Sequence, residues 1–231
     1  MYDFSNKTID EALDHISDLW YGLSEHSPEF STESILPEIV SKVGLSRKAP
    51  LINQYVLYKI TATRRDRRFK IMHPHRLTKE MVIGTFSKMT TPAAVIQNED
   101  GSVFILTSEL DRNQNPIGIA VKYNYSQDQN IVCSCYGRES FLLFLSFKMA
   151  DGKILQYDLN QLTRIVNASY DERIKDGYAL PEDKENAFQM LSNIVTMTVP
   201  EKKTLSGVKQ SVIDRKSESK TEKKMRRSFQ K

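Results

Sequence analysis

The sequence predicts an α+β fold: N-terminal helices packed on a central antiparallel sheet of four to six strands, then C-terminal helices and a disordered basic tail. Three patterns carry this reading. Apolar residues recur at three- and four-residue spacing over the first fifty positions. Short extended runs separated by turn-forming residues follow between positions 93 and 136. Helical spacing then returns after position 159, until Lys, Ser and Glu take over beyond Pro200. The chain accordingly divides into a helical part (1–50), a sheet core (51–158), C-terminal helices (159–199) and a tail (200–231).

Thr8 and Glu11 stand at capping-box spacing, and Ile9, Leu13, Ile16, Trp20 and Leu23 form one apolar stripe, which predicts a first amphipathic helix. Ile35, Leu36, Ile39, Val40 and Val43 predict a second, with Pro37 in its first turn and Gly44 as its stop. Residues 54–60, rich in Val, Ile, Leu and Tyr, read as a strand. The run that follows, 61–68, is too charged to be buried. Leu77, Met81, Val82, Phe86 and Met89 predict a third helix over 78–89, N-capped by Thr78.

From Pro92 the pattern changes. Residues 93–97, 103–110, 117–125 and 131–136 read as strands, with turn-formers at 100–101, 111–116 and 126–130, so the four predict an antiparallel meander. Residues 141–149 fit either a buried helix or a strand, and the polar residues on both sides favour a helix. A last strand is expected at 153–157, and two helices at 159–168 and 181–199. The tail holds too little apolar surface to offset the entropy of ordering it.

A chain of 231 residues, 39% apolar and 27% charged, is long enough for one sizeable core. No run approaches the ~18 consecutive apolar residues that a membrane span needs. The first five residues carry an acid and lack the order of a secretory signal, so a cytoplasmic location is expected. Cys133 and Cys135 lie one residue apart, cannot easily bridge, and read as reduced thiols; a single C-x-C pair is a poor zinc site. No metal or cofactor is expected. The net charge of +4 is unevenly spread: residues 200–231 carry eleven Lys or Arg against four acids, which leaves the rest at −3. There is no Gly-rich phosphate loop, no H-E-x-x-H and no nucleophile elbow, which sets aside the commonest nucleotide-dependent, zinc-protease and hydrolase chemistries.

Between Leu36 and Tyr157, about half of the chain, an ordered series of short pieces stands out: Val43-Gly44, Tyr58-Lys59, residues 75–80 opening a helix, 91–96, 103–107, Asn115-Pro116-Ile117, and 130–138. In this order they resemble the phage MuF C-terminal domain, a module found at the ends of phage and mobile-element polypeptides. That family is related to the barnase, EndoU, colicin and RelE group of metal-independent ribonucleases. The resemblance implies helices set ahead of a curved four-stranded antiparallel sheet, and a phage or mobile-element protein with RNA as its partner.

Cleaving RNA without a metal takes a base for the ribose 2′-hydroxyl, an acid for the leaving oxygen, and donors for the charge developing on phosphate. Of four histidines, His15 falls on the polar side of the first helix and His26 in a loop, leaving His73 and His75 as the proton-transfer candidates beside Lys59. Ser134 and Tyr136 share a strand face with each other and complete the candidate catalytic set. Thr107 is a further candidate for that face. Arg64, Arg65, Arg67 and Arg68, followed by Phe69, are candidates for phosphate binding, as is Arg138. Glu109, Asp111 and Arg112 read as turn chemistry. Each choice has a plainer alternative: a solvated turn around Pro74, a solvated basic loop, ordinary polar residues on a half-exposed sheet. For the whole protein the alternative is a non-catalytic module of the same fold that binds a protein partner, with the tail reaching acidic surfaces.

Overall fold

In a computed structural model that describes residues 7–16 and 28–197, the capping box at Thr8 forms as predicted. The Thr8 hydroxyl accepts the Glu11 N–H at 3.3 Å, and the Glu11 carboxylate accepts the Thr8 N–H at 2.9 Å. This starts α1 (Ile9–Asp14), which buries Ile9, Ala12 and Leu13. Trp20 and Leu23 of the predicted stripe lie outside the described residues, as do the tail and the last two positions of the predicted final helix.

The second helix is shorter than predicted, a 3-10 turn over Glu38–Val43 that excludes Ile35 and Leu36. Pro37 is the reason, because the residue before a proline is held out of the helical region. Gly44 ends the turn as expected, at φ +85°, where its N–H reaches back to Val40 and Ser41.

The largest correction falls on residues 54–60. They form a helix, α2 (Gln54–Thr61), preceded by a strand of only three residues. Asn53 accepts the Val56 N–H at 2.8 Å as an N-cap, and Val56, Leu57 and Ile60 then share the buried face. Capping and packing outweigh the β-propensity of Val, Ile and Tyr. The remaining helices follow the expectation: α3 (Lys79–Ser87, capped by Thr78), α4 (Phe141–Ala150), α5 (Leu159–Lys175, longer than the predicted 159–168) and α6 (Pro181–Met197). None of the described helices is long and apolar enough to cross a membrane.

The predicted meander is the centre of the sheet: β3 (Ala94–Gln97), β4 (Val103–Leu110), β5 (Pro116–Asn124) and β6 (Gln129–Gly137), each antiparallel to the next. The sheet is wider than the expected four to six strands and is not wholly antiparallel. β7 (Ile154–Tyr157) pairs antiparallel with β3. On the other side β2 (Leu51–Asn53) runs parallel to β6 through Leu51 and Ile131, and β1 (Glu29–Ser31) lies antiparallel to β2, giving seven strands in the order β1-β2-β6-β5-β4-β3-β7. Strands of three residues are too short to show a period of two, so the sequence could not announce them.

Both faces of the sheet are covered. Val95, Val103, Ile105, Ile117, Ile119, Val121, Val132 and Cys135 meet residues of α1, the 3-10 turn, α2 and α3. Ala94, Ile96, Phe104 and Leu106 meet α4, α5 and α6. Double coverage explains why residues 103–107 are all buried instead of alternating. Gly118 fits this second core for a steric reason: a Cβ there would lie 2.0 Å from the Phe104 ring. Both cysteines are free, and burial pushes both thiols up, so neither is a reactive thiolate.

Candidate active site

The site begins with an irregularity in β6. Its register against β5 shifts so that Ala120 faces Ser134 while Val121 faces Val132, leaving Cys133 as an extra residue. Such a bulge turns the side chains beyond it. Val132 and Cys135 enter the first core, whereas Tyr136 joins the face that carries Phe104. Ser134 and Tyr136, two residues apart, share that side.

His75 arrives from α2. The chain turns after Ala62, closes a small loop through the Asp66–Ile71 bridge, and returns along the helix it left. The His75 N–H donates to the Lys59 carbonyl at 3.5 Å and the Leu77 N–H to the Ile60 carbonyl at 2.9 Å. These two bonds hold the imidazole against β6. Its Nε2 lies 3.2 Å from the Ser134 hydroxyl, with the direction of that bond set by the tautomer. Its ring stacks on Tyr136 at 5.3 Å between centroids, 30° from parallel. Tyr136 rests in turn on Phe104 at 5.5 Å, and Phe104 meets Phe144 edge-on at 5.7 Å. The histidine is thus supported through a chain of aromatic contacts into the second core.

A polar cleft of about 330 Å³ opens beside it, lined by His75, Arg76, Arg112, Asn113, Tyr136 and Glu139. Asp111 also borders the cleft, but its carboxylate is occupied: it accepts the Asn113 and Asn115 N–H groups at 2.8 Å and the Asn115 side-chain amide at 3.3 Å. Gly137 makes this possible, since a Cβ there would stand 1.9 Å from the Asp111 Oδ2. The turn chemistry read from the sequence for Asp111 holds.

Burial first, and then the charges of Lys59 and His73, lower His75 from its ordinary 6.5 to about 4. At neutral pH the imidazole is therefore uncharged and able to accept a proton. Between pH 6.5 and 4 the unfolded chain binds a proton that the folded chain refuses, so His75 makes stability fall as pH drops through this window and level off below it. The full shift corresponds to ~3 kcal/mol, but the ring is only partly buried and water screens it, so about 1 kcal/mol is expected. Urea unfolding at pH 7 and pH 4.5 checks this: the wild type should lose about that much more stability than His75→Gln.

The candidates are brought together only in part. His75, Ser134 and Tyr136 meet. Lys59 contributes a carbonyl and a field, and His73 is exposed and acts on His75 through its charge. Thr107 is buried, and its hydroxyl donates to the Ile117 carbonyl at 2.9 Å, which removes it from the surface of the site. Arg64, Arg65, Arg67 and Arg68 are exposed on the loop, while Asp66, the one acid among them, is turned inward to accept the Arg68 N–H at 3.0 Å and the Tyr58 hydroxyl at 3.4 Å. Arg138 packs over Phe144 at 4.1 Å, with its Nε buried and without a hydrogen-bond partner. Arg76, Arg112, Asn113 and Glu139 line the cleft although nothing in the sequence marks them for it, for they sit in loops without periodicity. Among the described residues no group of three or more His, Cys, Asp or Glu is placed to hold a metal ion. Set beside known proteins, the chain matches no family model, no curated protein and no solved structure.

Proposed function

We propose that this is a cytoplasmic protein of a phage or mobile element that cleaves RNA without a metal ion, with His75 as the base. The observation that carries the reading is the neutral His75, hydrogen-bonded to Ser134 and stacked on Tyr136 at the wall of a polar cleft that also holds Arg76 and Arg112. The ordered pieces similar to the phage MuF C-terminal domain support it, and so does the succession of helices and a four-strand meander.

In the proposed reaction His75 takes the proton of a ribose 2′-hydroxyl. The 2′-oxygen attacks phosphorus, the bond to the 5′-oxygen breaks, and that oxygen takes up a proton from water in the open cleft to leave a 2′,3′-cyclic phosphate. Arg76 and Arg112 supply positive charge for the phosphate, and Tyr136 supplies a hydroxyl donor. Lys59 keeps His75 in its basic form, and Arg64, Arg65, Arg67 and Arg68 draw the polyanion towards the site. Arg138 supports the cleft through Phe144 and thereby the aromatic contacts beneath Tyr136. The test is RNA cleavage by the full-length protein in the presence of a chelator, compared with the double variant His73→Ala, His75→Ala. Equal cleavage by both ends the assignment.

One feature favours the second reading, a non-catalytic interaction module of the same fold. Leu143 and Phe147, one helical turn apart on α4, are 47% and 62% exposed. If the protein cleaves no RNA and Leu143→Ser with Phe147→Ser abolishes capture of a protein partner, that reading stands.

A further inference from the structure

A second hollow of about 570 Å³ lies on the other side of the 111–115 hairpin, and Arg112 and Asn113 line both it and the cleft at His75. We propose that this hollow is a second nucleotide subsite, in which Tyr178 stacks on an unpaired base while Arg112 and Arg173 hold the adjoining phosphate. The inference rests on the RNA reading above and gives it a substrate class: single-stranded RNA, bound across the hairpin.

Tyr178 is the first reason. α5 ends at Lys175, Gly177 turns into the left-handed region at φ +75°, and the Tyr178 N–H reaches back to the Arg173 carbonyl at 2.7 Å. The backbone of Tyr178 is therefore pinned at the position where a side chain commonly packs back on its own helix. The residue instead stands 84% exposed, an aromatic platform on a pinned backbone at a hollow that Arg112 and Arg173 also line. Every base has a π-face, so such a platform accepts any base that is not already stacked within a duplex.

Arg173 is the second. Its Nη2 donates to the carbonyls of Asn113 and Gln114 at 3.1 and 3.2 Å and to the Asn115 side-chain oxygen at 2.6 Å. The guanidinium is thereby held to the hairpin through Nη2 and lies 5.6 Å from the Tyr170 ring, which keeps its positive charge at the wall of the hollow. Arg112 is exposed and forms no ion pair among the described residues. The single acid of the hollow, Asp176, lies at the Tyr178 end, so the phosphate belongs at the Arg112 end, next to the cleft.

The test measures binding of a short, uncleavable 2′-O-methyl RNA strand to the full-length protein, with a blunt duplex of the same sequence as control. Tyr178→Ala should weaken binding of the single strand about tenfold, the order of effect that loss of one base–aromatic stack produces. Tyr178→Phe should bind as the wild type does, and the duplex should be indifferent to either change. Arg112→Gln should lower the dependence of log affinity on log salt by about one. Equal single-strand binding by the wild type and Tyr178→Ala overturns the subsite. Because the ligand cannot be cut, a protein that binds it through Tyr178 but cleaves no RNA keeps the subsite and loses the catalytic assignment. A protein that cleaves RNA with no dependence on Tyr178 does the reverse.

Discussion

Replacing His75 with glutamine is expected to lower metal-independent RNA cleavage by roughly 10²–10⁴-fold, the contribution of a positioned proton-transfer group. Glutamine retains a polar side chain opposite the Ser134 hydroxyl, 3.2 Å from Nε2 in the wild type, but loses the ability to take up a proton together with the ring that stacks on Tyr136. The pH profile distinguishes this role from a structural one. With His75 held near 4, cleavage should persist well below the pH at which an ordinary histidine is protonated, and its acid limb should fall near pH 4. His73→Ala should leave the rate at neutral pH within about threefold and move the acid limb upward, because it removes one of the charges that depress His75. Cleavage by His75→Gln at the wild-type rate would show that the base lies elsewhere.

The second large effect is on stability. Gly118→Ala should destabilise the fold by about 3 kcal/mol, at the upper end of what overpacking costs, and lower Tm by roughly 6–12 °C for a domain of this size. The added carbon would lie 2.0 Å from the nearest Phe104 ring atom and within 2.8 Å of two more, so the ring must leave its place. It has nowhere to go: Phe104 is 2% exposed and wedged between Tyr136 and Phe144. Phe104→Leu should by itself be destabilising, yet in the Gly118→Ala background it should recover part of the loss. A double-mutant cycle by urea unfolding measures that coupling, and strict additivity of the two changes would refute the steric account. Any movement of Phe104 is also felt by Tyr136, on which His75 stacks, so Gly118→Ala should impair cleavage even at temperatures where the protein remains folded.

The elements that the sequence disclosed are those whose signal is local. The capping box at Thr8, the Thr78 cap, the left-handed Gly44 and the four strands of the meander all depend on neighbours a few residues away. What it hid depends on distant partners. Residues 54–60 have the composition of a strand, and only the Asn53 cap and the packing of Leu57 and Ile60 against the sheet make them helical. β1 and β2 exist because β6 offers an edge to them. In the site, His75, Ser134 and Tyr136 were legible as residue types suited to the chemistry, whereas Arg76 and Arg112 were not, since a loop cation carries no mark of the cleft it will line. The bulge at Cys133, which decides the side on which Ser134 and Tyr136 emerge, leaves no trace in composition.

The parallel pairing of Leu51 with Ile131 has a consequence for how the molecule comes into being. A contact that spans eighty positions forms late, because a long stretch of chain must be closed before it is rewarded. During synthesis the N-terminal segment waits for β6, and the imidazole waits with it, for the serine it will face is made fifty-nine residues afterwards. A nascent polypeptide therefore carries the histidine without its partner. The constellation is born only when the meander closes, once Tyr136 and Glu139 of the far wall have followed the histidine out.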